Sequence, residues 1–434
     1  MPNRFVLVLA SFSITVAAAA CSEDFSGGAA CPGLCPESGF EIVNDTLEAI
    51  VALDSTIRGY PPPGEESRLV LLQRFSGSDS AITAGVVRYD VIEKTIIVGN
   101  DTLPITKVDS AFLRLTVIRD TLDTLSRRDA SKPVPVTIEV YDVDTTASDF
   151  DTAAVRQRFR PGTLLGTQTV RRDSITDSLF VRLDTAAVRA RVQGGRMRVG
   201  LRIRSDSSVQ LPLGTSESFS PVQLKFWARA ANDSTAARTI NPVSESSGSE
   251  GELESLADYM IVLRGTPEPP PQILAVGGLP AQRAYIRLSL PSRFVDSVTV
   301  LRAALVLTQA PVRGGTDDTV RTGVQASVSL ARTPLDISRA ALFVSGLFQQ
   351  ARAPRDSGLV RFELAGLVLP QTFQTTIQFW RGHPEDELPR AVVLRSSREG
   401  QFPSEFHFYS NEAAPNLRPR IEISYVSRVD FSLP

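Results

Sequence analysis

The stretch "RMRVGLRIRS" (196–205) alternates apolar and polar residues with a period of two. Every second residue from Met197 to Ile203 is apolar, and arginines hold most of the positions between them. Successive side chains of a β-strand point to opposite faces of the sheet. The pattern therefore predicts a strand with one buried face.

The same alternation recurs along the chain, with polar turn clusters such as "FSGSDS" and "VGNDTLP" between the runs and few long runs of helix formers. Strands at this spacing favour an all-β protein built from antiparallel β-sandwiches. Further strands are predicted at 67–75, 84–91, 110–118, 134–143, 178–184, 222–230, 283–290, 301–310, 324–332, 358–366, 375–381, 390–396, 405–410 and 418–426.

Two polar segments interrupt the strand pattern near the middle of the chain. Residues 231–255 are poor in large apolar side chains, and the prolines of 265–271 exclude a central strand there. One strand of uncertain membership, 257–265, lies between them. We expect two tandem jelly-roll-like sandwich domains after a signal peptide and a short tether: signal 1–20, tether 21–41, domain 42–232, polar linker 233–256 and domain 257–434.

Two segments in the first half repeat one another. "FDTAAVRQRF" (150–159) and "LDTAAVRARV" (183–192) both place Asp-Thr before Ala-Ala-Val-Arg. Asp and Thr are favoured helix N-caps. The pair predicts two short helices at sandwich corners.

The charge balance limits the classes of partner. The 434 residues carry 46 Lys and Arg against 48 Asp and Glu, a formal net charge of −2, and 42% of them are hydrophobic. Real cores are expected in a chain of this size. Neither a nucleic-acid-binding surface nor a polybasic membrane patch is indicated.

The N-terminus has the layout of a secretory signal. Arg4 precedes the uncharged run "FVLVLASFSITVAAAA" (5–20), which ends in small residues and is short for a membrane span. The segment resembles a bacterial lipoprotein signal with Cys21 as the acylated residue, although Ala18 stands where that family usually has Leu. Ordinary cleavage at Ala18 to Ala20, which releases a soluble protein, remains the alternative.

The residues after Cys21 suggest the location. "SED" (22–24) resembles the acidic surface-export signal of Bacteroidota lipoproteins. The expected location is the bacterial outer membrane or cell surface, with the chain held in the membrane by its N-terminal lipid.

The other two cysteines lie close together in the tether. Cys31 and Cys35 flank Pro-Gly-Leu, a turn-forming spacer, and an oxidising compartment favours pairing. A small disulfide-closed loop is expected. Two free thiols are the alternative, and a metal site is less favoured because His383 and His407 are the only histidines.

Four aspartates in "YDVDTTASDFD" (141–151) supply the hard oxygen ligands that Ca²⁺ prefers. They are Asp142, Asp144, Asp149 and Asp151. The EF-hand pattern fails, because Ala147 replaces its glycine and Ala153 its bidentate acid. Calcium is the one cofactor considered, and a solvated Asp-rich turn is the favoured interpretation.

No catalytic residue is singled out. A Ser-His-acid triad needs a histidine base, and no nucleophile motif accompanies either His383 or His407. Structural or solvated roles are expected for both, and the chain is predicted not to be an enzyme.

The two tryptophans are the candidate ligand-binding residues. If Leu224 and Phe226 face the core, alternation puts Trp227 on the outer face with Lys225 and Arg229, and Trp380 lies opposite Ile377 and Phe379 by the same rule. An exposed indole stacks on a sugar ring or on a protein partner. Packing beneath a loop, a corner helix or the other domain is the alternative.

The C-terminal half resembles DNRLRE-type modules. "EFHFYSNEAAPNLRPRIEISY" (405–425) is similar to their closing signature, and "AYIRLSLPSRFVDSVTVLRAALVLTQ" (284–309) to their opening strands. The first half, with "VDSAFLRLTV" (108–117), is similar to Bacteroidota surface lipoproteins of unassigned function. The resemblance implies jelly-roll-like sandwiches akin to carbohydrate-binding modules, and it brings no catalytic residues.

Two functions follow as hypotheses. The first is a non-catalytic, lipid-anchored envelope protein that binds glycan or another envelope component. The second is a structural or assembly protein of the outer membrane surface that contacts other proteins. A hydrolase is a distant third, because no pair of acidic residues is distinguished by spacing.

Overall fold

The computed structural model describes most of the chain from residue 42 onward. Its described residues are 42–60, 68–76, 79–119, 130–145, 152–244, 256–265, 268–279, 281–312, 321–329, 331–334, 347–348, 352–363, 373–381, 383–401 and 405–427.

The described residues of the first half contain strands β1 to β13. They are β1 Val43–Leu47, β2 Val51–Tyr60, β3 Leu69–Ser76, β4 Asp79–Tyr89, β5 Thr95–Val98, β6 Asp101–Thr116, β7 Pro135–Asp142, β8 Leu164–Arg171, β9 Ser178–Arg182, β10 Met197–Arg204, β11 Val209–Leu213, β12 Gln223–Ala230 and β13 Thr235–Ile240.

The second half contributes strands β14 to β23. They are β14 Asp258–Arg264, β15 Ile273–Gly277, β16 Ala281–Leu288, β17 Val298–Ala310, β18 Val324–Ser329, β19 Leu347–Phe348, β20 Gly358–Phe362, β21 Ala391–Ser396, β22 Glu405–Tyr409 and β23 Arg420–Ser427. The α-helices are α1 Thr152–Gln157, α2 Thr185–Gly194, α3 Ser292–Asp296 and α4 Phe373–Arg381, and 3-10 turns occupy Pro161–Thr163, Arg172–Ser174 and Pro415–Leu417.

Strand β10 bears out the prediction from its alternation. Its apolar side chains from Met197 to Ile203 are buried, and the strand pairs antiparallel with β4 and β7. On the opposite face Arg202 Nε donates to Glu139 Oε2 on β7 at 2.8 Å. One face of the strand thus supplies the core, and the other face supplies an ion-pair network.

The N-terminal sandwich packs a seven-stranded sheet against a five-stranded sheet. The first has the order β11-β3-β4-β10-β7-β8 with β14 on β4, and the second has β13-β12-β6-β5 with β9 on β6. Residues such as Val199 of the first sheet and Leu113 and Phe226 of the second share one core, which α2 joins through Val188 and Val192. The all-β sandwich prediction is confirmed for this part.

The C-terminal sandwich is a single hydrogen-bonded sheet that folds around its own core. Its order is β1-β23-β17-β22-β15-β16-β21-β18-β19, with β2 on β16 and β20 on β17. Ile421 of β23 and Val324 of β18, each one strand from an end of that order, are buried in the same hydrophobic cluster. Strands near both ends of the sheet therefore contribute to one core.

The predicted tandem division at residues 232 and 257 is wrong in three places. Strands β1 and β2, from the predicted first domain 42–232, pair with β23 and β16 of the C-terminal sheet. Strand β14 crosses the other way and pairs with β4. Part of the predicted linker 233–256 is strand β13, paired with β12. The sandwiches are interleaved in sequence because strand pairing depends on distant partners.

Residues Val43–Pro434 form one compact unit by their contacts. Leu279, in the turn after β15, is buried against Val70, Leu72 and Ala81 of the N-terminal sandwich. Part of the second face of the seven-stranded sheet is thus buried as well, here by the other sandwich and elsewhere by α1 through Val155.

The helix predictions have mixed outcomes. The two repeats form α1 and α2, and the Asp184 side chain caps α2 by accepting from Ala187 N at 2.7 Å. The predicted strand 375–381 is wrong, since these residues belong to α4. No helix within the described residues is long and apolar enough to cross a membrane.

Candidate functional site

The outer face of the five-stranded sheet carries an exposed tryptophan. Strand β12 buries Leu224, Phe226 and Ala228 in the core, so that alternation places Lys225 and Trp227 on the opposite face. The indole of Trp227 is 46% exposed. The predicted position of this residue is confirmed.

Small neighbours leave the indole uncovered. Trp227 lies opposite Ser110 of β6 on one side and Ala237 of β13 on the other. Directly opposed side chains in antiparallel strands share a face at close distance. Neither a serine nor an alanine is tall enough to shield a ring of this size, so the indole stands above a shallow sheet surface.

Two phenylalanines extend the aromatic surface across the sheet. Phe112 of β6 lies opposite Lys225, and Phe180 of β9 lies opposite Arg114. The Phe180 ring is 49% exposed. We define the Trp227 face as Phe112, Arg114, Phe180, Arg182, Lys225 and Trp227.

Cations lie between the rings of the Trp227 face. Arg182 of β9 lies opposite Phe112 of β6. Arg114 of β6 donates to Gln223 Oε1 at 3.3 Å. Among the residues that the structure describes, Arg182 and Lys225 have no carboxylate partner. The face therefore combines flat apolar rings with positive charges that are free to meet a polar or acidic ligand.

A β-bulge limits the face beside Trp227. The register of β6 shifts between Trp227 and Ala228, which leaves Asp109 as the extra residue. Arg229 Nη2 lies 2.7 Å from Asp109 Oδ2. The hydrogen bonds from Arg229 hold the pKa of Asp109 below its usual range. Arg229 is thus paired with an acid, in contrast to Lys225 on the same strand.

Trp380 does not belong to an exposed surface. It lies on α4, and its side chain is 1% exposed in the C-terminal core with Ile377. Residues three apart share one face of a helix. The prediction of an outward-facing strand residue is wrong, because the segment follows helical rather than strand periodicity.

The predicted calcium ligands are only partly described. Asp142 and Asp144 accept hydrogen bonds from arginines: Arg191 Nε lies 3.0 Å from Asp142 Oδ2, and Arg196 Nη2 lies 3.0 Å from Asp144 Oδ1. Asp149 and Asp151 lie outside the described residues. In the part that the structure describes, no three His, Cys, Asp or Glu residues come close enough to hold a metal ion. The described pair therefore faces cations of the protein itself.

Cys21, Cys31 and Cys35 lie outside the described residues. The lipid anchor and the disulfide remain predictions from the sequence.

Both histidines contact their own neighbourhood. His407 Nε2 lies 3.2 Å from Glu405 Oε1, and His383 Nδ1 lies 3.0 Å from the Phe379 carbonyl oxygen. Within the described ranges, neither ring forms a hydrogen bond with a serine or threonine hydroxyl.

The fold brings together one acidic pair that the sequence spacing does not reveal. Asn411 N donates to Asp54 Oδ2 at 2.7 Å, and Ser410 Oγ donates to Glu412 Oε2 at 2.6 Å. Burial and the nearby Glu412 carboxylate raise the pKa of Asp54. The pair borders an open cleft of about 500 Å³ lined by Pro269, Pro270 and Pro271. The "YSNE" turn thus links the end of β22 to β2.

No protein-family model and no curated protein matches the chain. Among solved structures, it is similar to infectious bursal disease virus of the Gt strain (10% identity, TM-score 0.12) over 92% of this chain and 80% of that chain. The Gx strain gives 8% identity and a TM-score of 0.11 over 91% and 80%. The VP2 subviral particle of that virus gives 8% and 0.12 over 90% and 80%. Scores this low carry no argument about function.

Proposed function

We propose that this chain is a non-catalytic, lipid-anchored protein of the bacterial outer surface that binds glycan through the Trp227 face. The observation that carries the proposal is the half-exposed indole of Trp227 between Ser110 and Ala237 on a sheet. A sugar presents an apolar C–H face to such a ring, and its hydroxyls require polar partners nearby. Lys225, two residues from Trp227 on β12, and Arg182, opposite Phe112, supply hydrogen-bond donors on the same face.

A glycan array tests the proposal directly. The test protein is the chain from residue 21 with Cys21→Ser, compared with the same chain carrying Trp227→Ala. We expect saturable binding that weakens at least about tenfold in the variant, because stacking and buried ring area are together worth about 1.4 kcal/mol or more.

Phe219→Ala is the matched control. Phe219 is a fully exposed aromatic residue in the connection between β11 and β12, outside the Trp227 face. Its loss should leave glycan binding unchanged. Equal weakening of glycan binding in both variants would mean that any exposed aromatic ring contributes to it. The Trp227 face would then not be the glycan site.

The alternative is an assembly role, in which the same face contacts an envelope protein. It predicts an empty array, together with an envelope protein that co-purifies with the wild-type chain but not with Trp227→Ala.

The membrane anchor rests on the sequence around Cys21 and has its own test. Mass spectrometry of the native N-terminus should find Cys21 as the first residue with acyl chains attached. An unmodified N-terminus would remove the anchor from the proposal and leave the glycan site untouched.

A further inference from the structure

Four arginines line one open cleft at a corner of the N-terminal sandwich. The cleft lies where the residues after β7 meet α1, α2 and the start of β10, and its volume is about 520 Å³. Its basic lining residues are Arg158, Arg160, Arg191 and Arg196. We call this site the arginine cleft.

Three of these arginines are fixed by two aspartates. Arg191 Nη1 and Arg196 Nη2 lie 2.8 Å and 3.0 Å from the buried Asp144 carboxylate. Arg158 Nε donates to the Asp144 carbonyl oxygen at 3.2 Å, and Asp142 accepts from Arg191. A guanidinium held in this way keeps its remaining N–H donors in fixed directions.

The charges of the arginine cleft do not cancel. Its four guanidinium groups face two carboxylates, those of Asp142 and Asp144, which leaves an excess of two positive charges among the described residues. Arg160 lines the cleft at its exposed edge and makes no side-chain ion pair or hydrogen bond within the part of the chain described. An anion that enters therefore meets one unpaired guanidinium and three preoriented ones.

We propose that the arginine cleft binds the phosphate or sulfate ester of a sugar-sized molecule. One unpaired guanidinium beside three oriented ones suits a tetrahedral anion, because guanidinium forks bind such groups by paired hydrogen bonds. The volume of about 520 Å³ exceeds the space of one inorganic anion, since a single water occupies roughly 30 Å³. The site is separate from the Trp227 face and is independent of the proposed glycan binding.

Calorimetric titration with three matched probes tests the assignment. Glucose 6-phosphate, glucose 6-sulfate and glucose are added to the chain from residue 21 with Cys21→Ser. We expect saturable binding of either ester or both, a fall in affinity with added salt, and no binding of glucose at the same concentrations. The better of the two esters identifies the source of the anion.

Variants locate the binding to the arginine cleft. Arg160→Ala should weaken it about tenfold, because a charge-assisted hydrogen bond is lost, and Arg160→Glu should abolish it. Arg189→Ala is the matched control, since Arg189 is an exposed arginine of α2 outside the lining, and it should bind as the wild type does. Trp227→Ala should also bind normally.

Failure of both esters to bind at low salt would overturn the proposal. Wild-type affinity in Arg160→Glu would do the same, and the four arginines would then have a purely structural role. Either outcome leaves the Trp227 face unaffected, because none of that face's residues lines the arginine cleft and the face is tested by its own variant, Trp227→Ala.

Discussion

Leu47 on β1 and Ile421 on β23 lie opposite each other in antiparallel register, and both are buried in the core of the C-terminal sandwich. The first described strand, β1, thus forms an edge of the sheet that contains the last described strand, β23. Strand β2 extends the same sheet through β16. The C-terminal sandwich therefore depends on residues that precede the entire N-terminal sandwich.

Removal of residues 1–60 should unfold the C-terminal sandwich. The deletion exposes the sites of Leu47, Ile50 and Val51, and each such side chain is worth about 1.5–3 kcal/mol on burial. That sum rivals the typical stability of a domain, about 5–15 kcal/mol. Limited proteolysis and circular dichroism provide the measurement. Removal of residues 1–42 alone is the control, and a shared melting temperature for the two deletions would contradict the interleaved fold.

Trp380→Ala should lower the free energy of unfolding by about 3–5 kcal/mol, because it empties the place of a large buried ring. Trp227→Ala should lower it by about 1 kcal/mol or less, since that ring is half-exposed. Urea denaturation of the two variants and the wild type measures both losses in the free energy of unfolding. Similar losses would show that Trp380 is not a core residue.

Gly166→Ala should destabilise the N-terminal sandwich by about 1–3 kcal/mol or more through overpacking. A Cβ at Gly166 on β8 would lie 2.1 Å from the carbonyl oxygen of Arg182 on β9, which is a backbone atom and moves little. Gly162→Ala is the control, because a Cβ there meets nothing within 4 Å. Thermal melts should separate the two variants, and coincident melts would contradict the close approach of β8 and β9.

Asp258→Asn should change how stability depends on pH. Asp258 is 4% exposed on β14, and burial, followed by the charge of Glu217, raises its pKa from 3.8 to about 7. Between those values the folded state holds a proton that the unfolded state releases, so the wild type loses stability as pH rises from about 4 to about 7.

The asparagine has no charge to bury, so the variant should not show this loss. At about 1.4 kcal/mol per pKa unit, Asp258→Asn should gain up to about 4 kcal/mol on the wild type by pH 8, relative to their difference at pH 4. Urea midpoints across that range provide the measurement. Asp177→Asn, at an exposed carboxylate, should produce no such trend. Parallel pH profiles for Asp258→Asn and the wild type would refute the buried acid.

Local pattern predicted most of the strands, because each amphipathic strand carries its own alternation. The alternation in 196–205 and in 222–230 corresponds to β10 and β12 within two residues at each end. It also predicted the outward position of Trp227. These features depend on residues that are neighbours in sequence, and a sequence displays them directly.

The strand exchange was not predictable from local pattern. The pairing of Val51 with Leu288 joins segments on either side of the entire N-terminal sandwich, and neither segment differs in composition from other strands. The polar stretch 231–255 gave the appearance of a boundary, although its first part is strand β13. A polar composition here does not mark the boundary between the two sandwiches.

A short apolar run can fit both helical and strand periodicity, so the sequence did not decide between helix and strand at 375–381. Ile377 and Phe379 suit alternation, whereas Ile377 and Trp380 suit a helix, and only the packing of α4 against the core selects the second. Likewise, the Asp-rich segment made Asp144 resemble a calcium ligand, whereas in the fold Arg191 of α2 and Arg196, the residue before β10, reach its carboxylate. A carboxylate cannot be assigned a partner until the fold brings the charges together.

The pairing of β1 with β23 has a mechanical consequence. A load applied to the chain ahead of Val43 enters the molecule through the edge of the C-terminal sandwich. Tension along the backbone reaches β3 only after β1 and β2 have separated from β23 and β16. If the chain is anchored through Cys21, as proposed, the sandwich that lies distal in sequence is therefore the first to yield to tension.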